Sequence, residues 1–287
     1  MGLLSSKGGN RRVDQLRVHH FSLQDTLECG QFFRYTKGMD SYFIQSSDRF
    51  FSLRQRGSSL FFEGVERDFL IHLFRLEEDW ESILREIDRD PTIHQAIRSY
   101  PGLRLIRQDP WECLLSFLCS SAKSIPHIRC IIESLCRCSG KKILFGNTVS
   151  YGFPKPQSIQ NDFQLGEVGA GFRTSFLVKA NRYIDEKRLL HLKELPFKEA
   201  RETLMELPGV GRKIADCVLL YSLEFLEAFP IDTWMKKGVQ HVYFGGKRVG
   251  EGVMEEFVAN HFGPYAGVAQ LYLFHFWRHH PRLISSC

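Results

Sequence analysis

The chain opens in a two-residue rhythm and changes to a helical one near residue 66. Short runs at 16–21, 31–35, 42–45, 50–54 and 60–62 mix β-branched, aromatic and polar residues. Lys37-Gly38-Met39-Asp40 and Arg56-Gly57-Ser58-Ser59 break them. Alternation puts every second side chain on one face, and glycine with small polar residues favours tight turns. This stretch therefore predicts an antiparallel sheet joined by β-hairpins. From Glu66 the apolar positions recur at helical spacing. Phe69, Leu70, Leu73 and Phe74 form one stripe, and Trp80, Ile83, Leu84 and Ile87 another. Asp109-Pro110-Trp111-Glu112 reads as a helix start, because a side-chain acceptor precedes a proline whose missing N–H has no partner to lose there. That helix should run to about Ser120. Further helices are expected over 125–136, up to Tyr183, and over 200–207, 213–223, 233–244 and 266–278, with a Pro- and Gly-containing connection at 150–161. The fold class is α+β: an N-terminal antiparallel sheet, then an all-helical region.

Composition adds limits. The 287 residues are 43% hydrophobic and 25% charged, so the chain is globular and can bury a sizeable core. A net charge of +5 suits an anionic partner without identifying one. No repeat, coiled-coil pattern, secretory signal or long apolar run is visible, so a monomer with no membrane association is expected. The eight cysteines are read as free thiols of a reducing compartment. Cys130, Cys136 and Cys138 fit no zinc or iron–sulfur spacing and are read as buried helix residues, so no metal site is expected. Residues 1–12 read as a disordered basic tail.

The chemistry concentrates near residue 210. Glu206-Leu207-Pro208-Gly209-Val210-Gly211-Arg212-Lys213-Ile214-Ala215-Asp216 places a glycine-bearing turn between two amphipathic helices. The backbone at Gly209, Gly211 and Ile214 is suited to meeting a DNA phosphate, because glycine permits close approach and a helix start offers free N–H groups. Lys213 falls in the first turn, where the positive end of the helix dipole disfavours an ammonium and partial burial acts the same way. Both favour an amine able to act as a nucleophile. Cys217 lies one turn on, on the same side of the helix. Ile214, Val218 and Tyr221 form the adjoining apolar stripe. Pro230-Ile231-Asp232 precedes another helix start. Asp232 can be a plain N-cap or a charge partner for the lysine, and the two roles are compatible. The hairpin by itself also fits a DNA-binding module that catalyses nothing.

Several segments resemble the 8-oxoguanine DNA glycosylase family of the helix-hairpin-helix DNA glycosylase superfamily. They are Glu28-Cys29-Gly30-Gln31-Phe32-Phe33-Arg34, Gly102-Leu103-Arg104, Gln108-Asp109-Pro110-Trp111-Glu112, Ser116-Phe117-Leu118-Cys119-Ser120-Ser121, Gly169-Ala170-Gly171-Phe172-Arg173, 207–217, Pro230-Ile231-Asp232 and Tyr265-Ala266-Gly267-Val268-Ala269-Gln270. The resemblance implies a sheet domain with helices at 13–106 and a helical domain at 107–287, whose two lobes clamp duplex DNA and between which the chain ends can cross. It implies a bifunctional glycosylase/lyase that flips 8-oxoguanine into a pocket. Lys213 would displace the base and form a Schiff base, with strand cleavage by β-elimination, and Asp232 would support the transition state. No metal or organic cofactor takes part. By the same resemblance the Gly30 carbonyl accepts from N7–H of the lesion, which guanine lacks. Cys217 and Phe274 sandwich the base and Gln270 bonds its edge. Phe172 is the aromatic wedge and Arg173 reads the opposite base. Without the resemblance, Gly30 would be a turn glycine, Phe274 core packing and Gln270 a solvated helix residue.

The chain departs from the family where the opposite base is read. Ala122, Lys123 and Ser124 replace asparagines after the Cys-Ser-Ser word, and alanine cannot make their hydrogen bonds. His127 stands where animal members carry an arginine, and Trp234 where a phosphate-contacting histidine is common. Lys123 and His127 are expected to touch DNA, with relaxed preference for the opposite base. The remaining alternatives are a non-catalytic hairpin protein and a glycosylase for another damaged purine. The expected compartment is the one holding the main genome: the cytoplasm (nucleoid) of a bacterium or the nucleus of a eukaryote.

Overall fold

The computed structural model describes residues 13–120, 124–146, 148–159, 169–184 and 186–284. The basic tail, Ala122, Lys123 and Cys287 therefore lie outside the described residues. The chain order begins β1 (Asp14–Arg17), α1 (Leu23–Glu28), β2 (Tyr35–Lys37), β3 (Tyr42–Ser46), β4 (Arg49–Arg56) and β5 (Ser59–Glu63). Then come α2 (Arg67–Leu73), α3 (Trp80–Ile87), α4 (Pro91–Ser99), α5 (Pro110–Cys119) and α6 (Ile125–Ser139). The hairpin β6 (Lys142–Phe145) and β7 (Thr148–Tyr151) follows. Helices α7 (Thr174–Tyr183), α8 (Glu186–His191), α9 (Phe197–Met205), α10 (Arg212–Ser222), α11 (Thr233–Tyr243), α12 (Glu251–Phe262) and α13 (Ala266–His279) complete the chain.

The five-stranded sheet has the order β1-β5-β4-β3-β2, and every pair is antiparallel. The register sets Ile44 opposite Phe51, Tyr42 opposite Leu53, and Leu53 opposite Phe62. One face thus carries Leu16, Tyr42, Ile44, Phe51, Leu53, Leu60 and Phe62, all buried. They pack against Leu23 and Leu27 of α1 and Leu70, Leu73 and Phe74 at α2. Each buried aliphatic or aromatic side chain contributes roughly 1.5–3 kcal/mol.

The expected strand at 31–35 is not formed, because another set of bonds claims that segment. The Gln31 side chain is buried. Its Nε2 donates to the carbonyls of Thr26 (3.0 Å) and Arg104 (2.7 Å), and its Oε1 accepts from the Ile106 N–H (2.8 Å). The Gln31 carbonyl accepts from Gln108 Nε2 at 2.7 Å. One glutamine thus does locally what a neighbouring strand would do, and pairing starts only at Tyr35. The helix α1 was hidden by the surrounding alternation, although Ser22 caps it by accepting from the Asp25 N–H. The hairpin β6–β7 falls mostly between the helix expected to end at Cys136 and the connection expected from Ser150, where no element was assigned. It docks through Phe145, which meets the rings of Phe43 and Phe50 edge-on.

The larger core does not follow the linear order of the chain. It takes in Trp80, Ile83, Ile87, Ile93 and Ala96 from α3 and α4 together with the later helices. Helices α4 and α13 pack directly. At its centre α5 and α10 are buried from Trp111 to Cys119 and from Ile214 to Ser222. A helix apolar on every side is stable only when surrounded, and these two are. Among the described residues no helix is long and apolar enough to cross a membrane.

The cysteine reading needs one correction. All described cysteines are free, and Cys136 is buried, but Cys130 and Cys138 are exposed. Helix α6 buries only the stripe Ile128, Ile131, Ile132, Leu135 and Cys136, and the other two thiols fall off it. Among the described residues no His, Cys, Asp or Glu group is arranged to hold a metal ion.

Candidate active site

The hairpin is built by backbone bonds. The Val210 N–H bonds the Leu207 carbonyl (3.0 Å), closing the turn, and Gly209 adopts φ +86°. A Cβ at Gly209 would lie 2.4 Å from the Phe176 ring, so glycine is required both by conformation and by contact. Gly211 caps α10 with its backbone alone, and its carbonyl accepts from the N–H groups of Ile214 and Ala215 (3.0 Å each). No side chain occupies the helix start, which leaves first-turn N–H groups facing outward, the arrangement that receives a phosphate. Gly209, Gly211 and Ile214 line a cleft of about 320 Å³ at this point.

Lys213 opens onto a second cleft of about 130 Å³. Gly30, Cys217, Asp232, Gln270 and Phe274 line the same cleft. These residues come from α10, the starts of α11 and α6, α13, and the turn after α1. Lys213 Nζ donates to Ser120 Oγ at 3.0 Å and lies 5.0 Å from the Phe117 ring centroid. Ser120 in turn donates to the Phe117 carbonyl at 2.7 Å, so its lone pairs face the amine. Asp232 Oδ1 accepts from the Met235 N–H at 2.7 Å, which makes the residue an N-cap in fact. Its other oxygen has no partner among the described residues. Capping and a free carboxylate oxygen thus coexist, and no ion pair within 4.0 Å joins Asp232 to Lys213 among the described residues.

The Cys217 thiol is pushed up to about 12 by burial, while the charge of Lys213 beside it acts in the opposite direction. A thiol held protonated is a poor nucleophile, so Cys217 is a wall of the cleft, not its reactive group. Gln270 is buried rather than solvated. Its Nε2 donates to the Pro230 carbonyl at 3.2 Å, and its Oε1 has no partner among the described residues. Phe274 is half-buried one turn further along α13. Gly30 adopts φ +98°, and its carbonyl accepts no hydrogen bond among the described residues. Small-molecule sites are usually larger, roughly 300–1,000 Å³. A purine therefore requires this cleft to widen as it enters.

Of the other expected DNA contacts, Phe172 and His127 are exposed, whereas Arg173 is buried. Phe172 is 69% exposed, and its ring meets Phe176 edge-on, the ring that seats Gly209. Wedge and hairpin therefore share one side of the molecule. Arg173 is buried, with its guanidinium 4.1 Å from the Phe172 ring centroid. His127 is exposed on the first turn of α6, beside Ile125 and Ile128, which line the cleft. Lys123 lies outside the described residues. Sequence reasoning passed over Ser120 and Phe117 as lining residues, and Arg278 as the neighbour of Gly30 and Phe274. Ser120 stood within a quoted word, and Arg278 repeats the four-residue spacing of Gln270 and Phe274.

One carboxyl beneath the hairpin sets a pH dependence. Asp216 is buried on α10, and desolvation pushes it up to about 7 although Arg201 lies 3.6 Å away and opposes the shift. The unfolded chain titrates this group near 3.8. The folded state thus prefers the neutral form. Its contribution is fully present below about pH 4 and is lost as pH rises through about 7, on the order of 4 kcal/mol in all. The neutral variant Asp216→Asn should lose this slope. Its melting temperature relative to the parent should climb by several degrees between about pH 4 and pH 8. A constant difference across that range would contradict the assignment.

A helix-hairpin-helix core with a lysine and a carboxylate on one cleft defines the DNA glycosylase class. Residues 15–114 match the family described as 8-oxoguanine DNA glycosylase, N-terminal domain. The N-glycosylase/DNA lyase OGG1 of Arabidopsis thaliana is 30% identical, covering 90% of this chain and 78% of that protein. The Clostridium acetobutylicum 8-oxoguanine glycosylase/lyase, solved with duplex DNA containing cytosine opposite 8-oxoguanine, superposes with a TM-score of 0.87. It is 29% identical, with 94% of this chain and 98% of that one covered. A 3-methyladenine DNA glycosylase from Archaeoglobus fulgidus shares the fold at a TM-score of 0.76, with 18% identity over 92% of this chain and 98% of that one. The chain belongs to the 8-oxoguanine DNA glycosylase family.

Proposed function

We infer that this protein is a bifunctional N-glycosylase/DNA lyase that excises 8-oxoguanine from duplex DNA, acting in base excision repair where the main genome is held. One observation carries the reading: Lys213, Asp232, Gly30, Gln270 and Phe274 line a single cleft beside the hairpin. The hairpin glycines and the backbone at Ile214 grip a phosphate, Phe172 fills the stack, and the damaged nucleotide turns into the cleft. Lys213 Nζ forms a bond to the anomeric carbon as the bond to the base breaks, and the electron pair leaves with the base, which takes up a proton. Asp232 offsets the positive charge that develops on the sugar. Opening of the sugar ring gives an imine between Nζ and that carbon. Loss of the neighbouring C2′ proton then expels the 3′ phosphate and nicks the strand. Phe274 and Cys217 enclose the base, and Gln270, with its free amide oxygen, bonds its edge.

The test is direct. The protein is mixed with an 8-oxoguanine duplex and borohydride, which reduces an imine to a stable amine. A covalent protein–DNA adduct is expected. DNA binding with neither adduct nor base release would instead identify a non-catalytic hairpin protein. Release of 3-methyladenine in preference to 8-oxoguanine would identify a glycosylase for another purine.

The opposite base should matter little. Ala122 offers no side-chain hydrogen bond, and the exposed His127 presents a shorter ring without the five-donor fork of an arginine. Excision opposite cytosine, thymine, guanine and adenine is expected to vary by less than about tenfold, below the discrimination of a bidentate pair. A preference for cytosine of a hundredfold or so would overturn this expectation.

A further inference from the structure

The turn that carries Gly30 is held on both sides while its own carbonyl is left open. Arg278 Nη1 donates to the Cys29 carbonyl at 2.9 Å. On the other side the Gln31 carbonyl accepts from Gln108 Nε2 at 2.7 Å, and the Gln108 N–H bonds the Tyr221 carbonyl of α10 at 2.8 Å. The Gly30 carbonyl between them accepts nothing among the described residues. Two flanking acceptors are thus satisfied by long side chains from distant elements, and the middle one lines the cleft. Peptide planes are rigid, so pinning the Cys29 carbonyl fixes the orientation of the whole Cys29–Gly30 plane. Only the rotations about Gly30 then remain, and its φ is +98°.

Arg278 is seated closely. Its Nη1 would lie 3.0 Å from a Cβ at Gly30, so the guanidinium packs on the bare glycine. The same guanidinium lies 5.4 Å from the Phe274 ring centroid. Gln270, Phe274 and Arg278 succeed one another at four-residue steps on one face of α13. The Cys29 carbonyl ends α1, where a cation is favoured by the helix dipole.

We propose that Arg278 is a positioning residue for lesion recognition: it holds the Gly30 carbonyl and the Phe274 ring at the spacing one oxidised purine requires. This rests on the reading of the cleft as an 8-oxoguanine site. Arg278 does not line the cleft with Lys213; its contacts are the Cys29 carbonyl, Gly30 and the Phe274 ring. Its loss should therefore matter when a base is in the cleft and little when none is. Arginine suits the role because its planar fork can bond the carbonyl with one nitrogen and lie along the ring with its face.

The experiment compares two substrates under single-turnover conditions with excess protein. One duplex carries 8-oxoguanine, and the other a preformed abasic site at the same position. Arg278→Ala should release 8-oxoguanine at least about tenfold more slowly than the parent, while its nicking of abasic DNA changes by less than about threefold. Arg278→Lys, with one donor on a shorter reach, should fall between. Should Arg278→Ala fail to fold, Arg278→Met keeps the stem against Phe274, removes the donor and carries the same comparison. Equal losses on the two substrates would mean a merely structural role and overturn the proposal, as would unchanged release of 8-oxoguanine. The parent rate on 8-oxoguanine reports on the function itself, and the variant-to-parent ratio reports on Arg278.

Discussion

Lys213→Gln is expected to bind an 8-oxoguanine duplex as the parent does, yet yield no adduct with borohydride and release base more than about a thousandfold more slowly. That factor corresponds to roughly 4 kcal/mol of barrier. Among the described residues lining the cleft, the amine is the only group able both to attack and to form an imine, and Cys217 is held as a neutral thiol. Glutamine keeps most of the stem beside Phe117 and an N–H donor for Ser120, so the fold should be retained. Phosphate contacts are expected from backbone N–H groups at the hairpin, which do not depend on the amine. Trapping that survives the substitution would place the nucleophile elsewhere. Loss of binding in step with loss of activity would mean that Lys213 serves only to hold DNA.

Asp232→Asn should separate the two roles of that residue. Asparagine caps a helix about as well as aspartate, through the same acceptor to the Met235 N–H. The melting temperature should therefore hardly move. The charge is lost, and with it the group that offsets a developing cation, so base release should slow by about 10²–10³. Asp232→Ala should lose the cap as well and be destabilised by about 1 kcal/mol, a few degrees of melting temperature. An asparagine variant with near-parent rates would reduce Asp232 to a structural cap. Both measurements use the same duplex, and circular dichroism distinguishes lost chemistry from lost structure.

Legibility varied along the chain for physical reasons. The hairpin, α10 and the capped starts of α5 and α11 depend on local backbone chemistry: glycine where φ is positive, a side-chain acceptor before a helix and, in α5, a proline in the first turn. Such signals are written in adjacent residues, and the boundaries of α5, α10, α11 and α13 were legible to within a residue or two. The strand expected at 31–35 failed because Gln31 bonds Thr26, Arg104 and Ile106, a set of partners no local window contains. The exposed Cys130 and Cys138 failed because spacing does not tell which stripe of α6 a neighbour covers. Gln270 reads as a solvated residue until the fold buries it against Pro230.

The residue types at the site, their order, and the turn and cap geometry that present Lys213 and Asp232 follow from sequence, since each is an interaction between near neighbours. Their assembly does not. Gly30 comes from the turn after α1, Lys213 from the α10 start and Phe274 from the last long helix, and one cleft exists only because the buried faces of α5, α10 and α13 close around it. The open Gly30 carbonyl, the satisfied carbonyls on either side of it and the seat of Arg278 were decided by tertiary packing alone. Long-range contacts of that kind minimise exposed apolar surface over the whole molecule, and no short stretch of chain encodes such a sum.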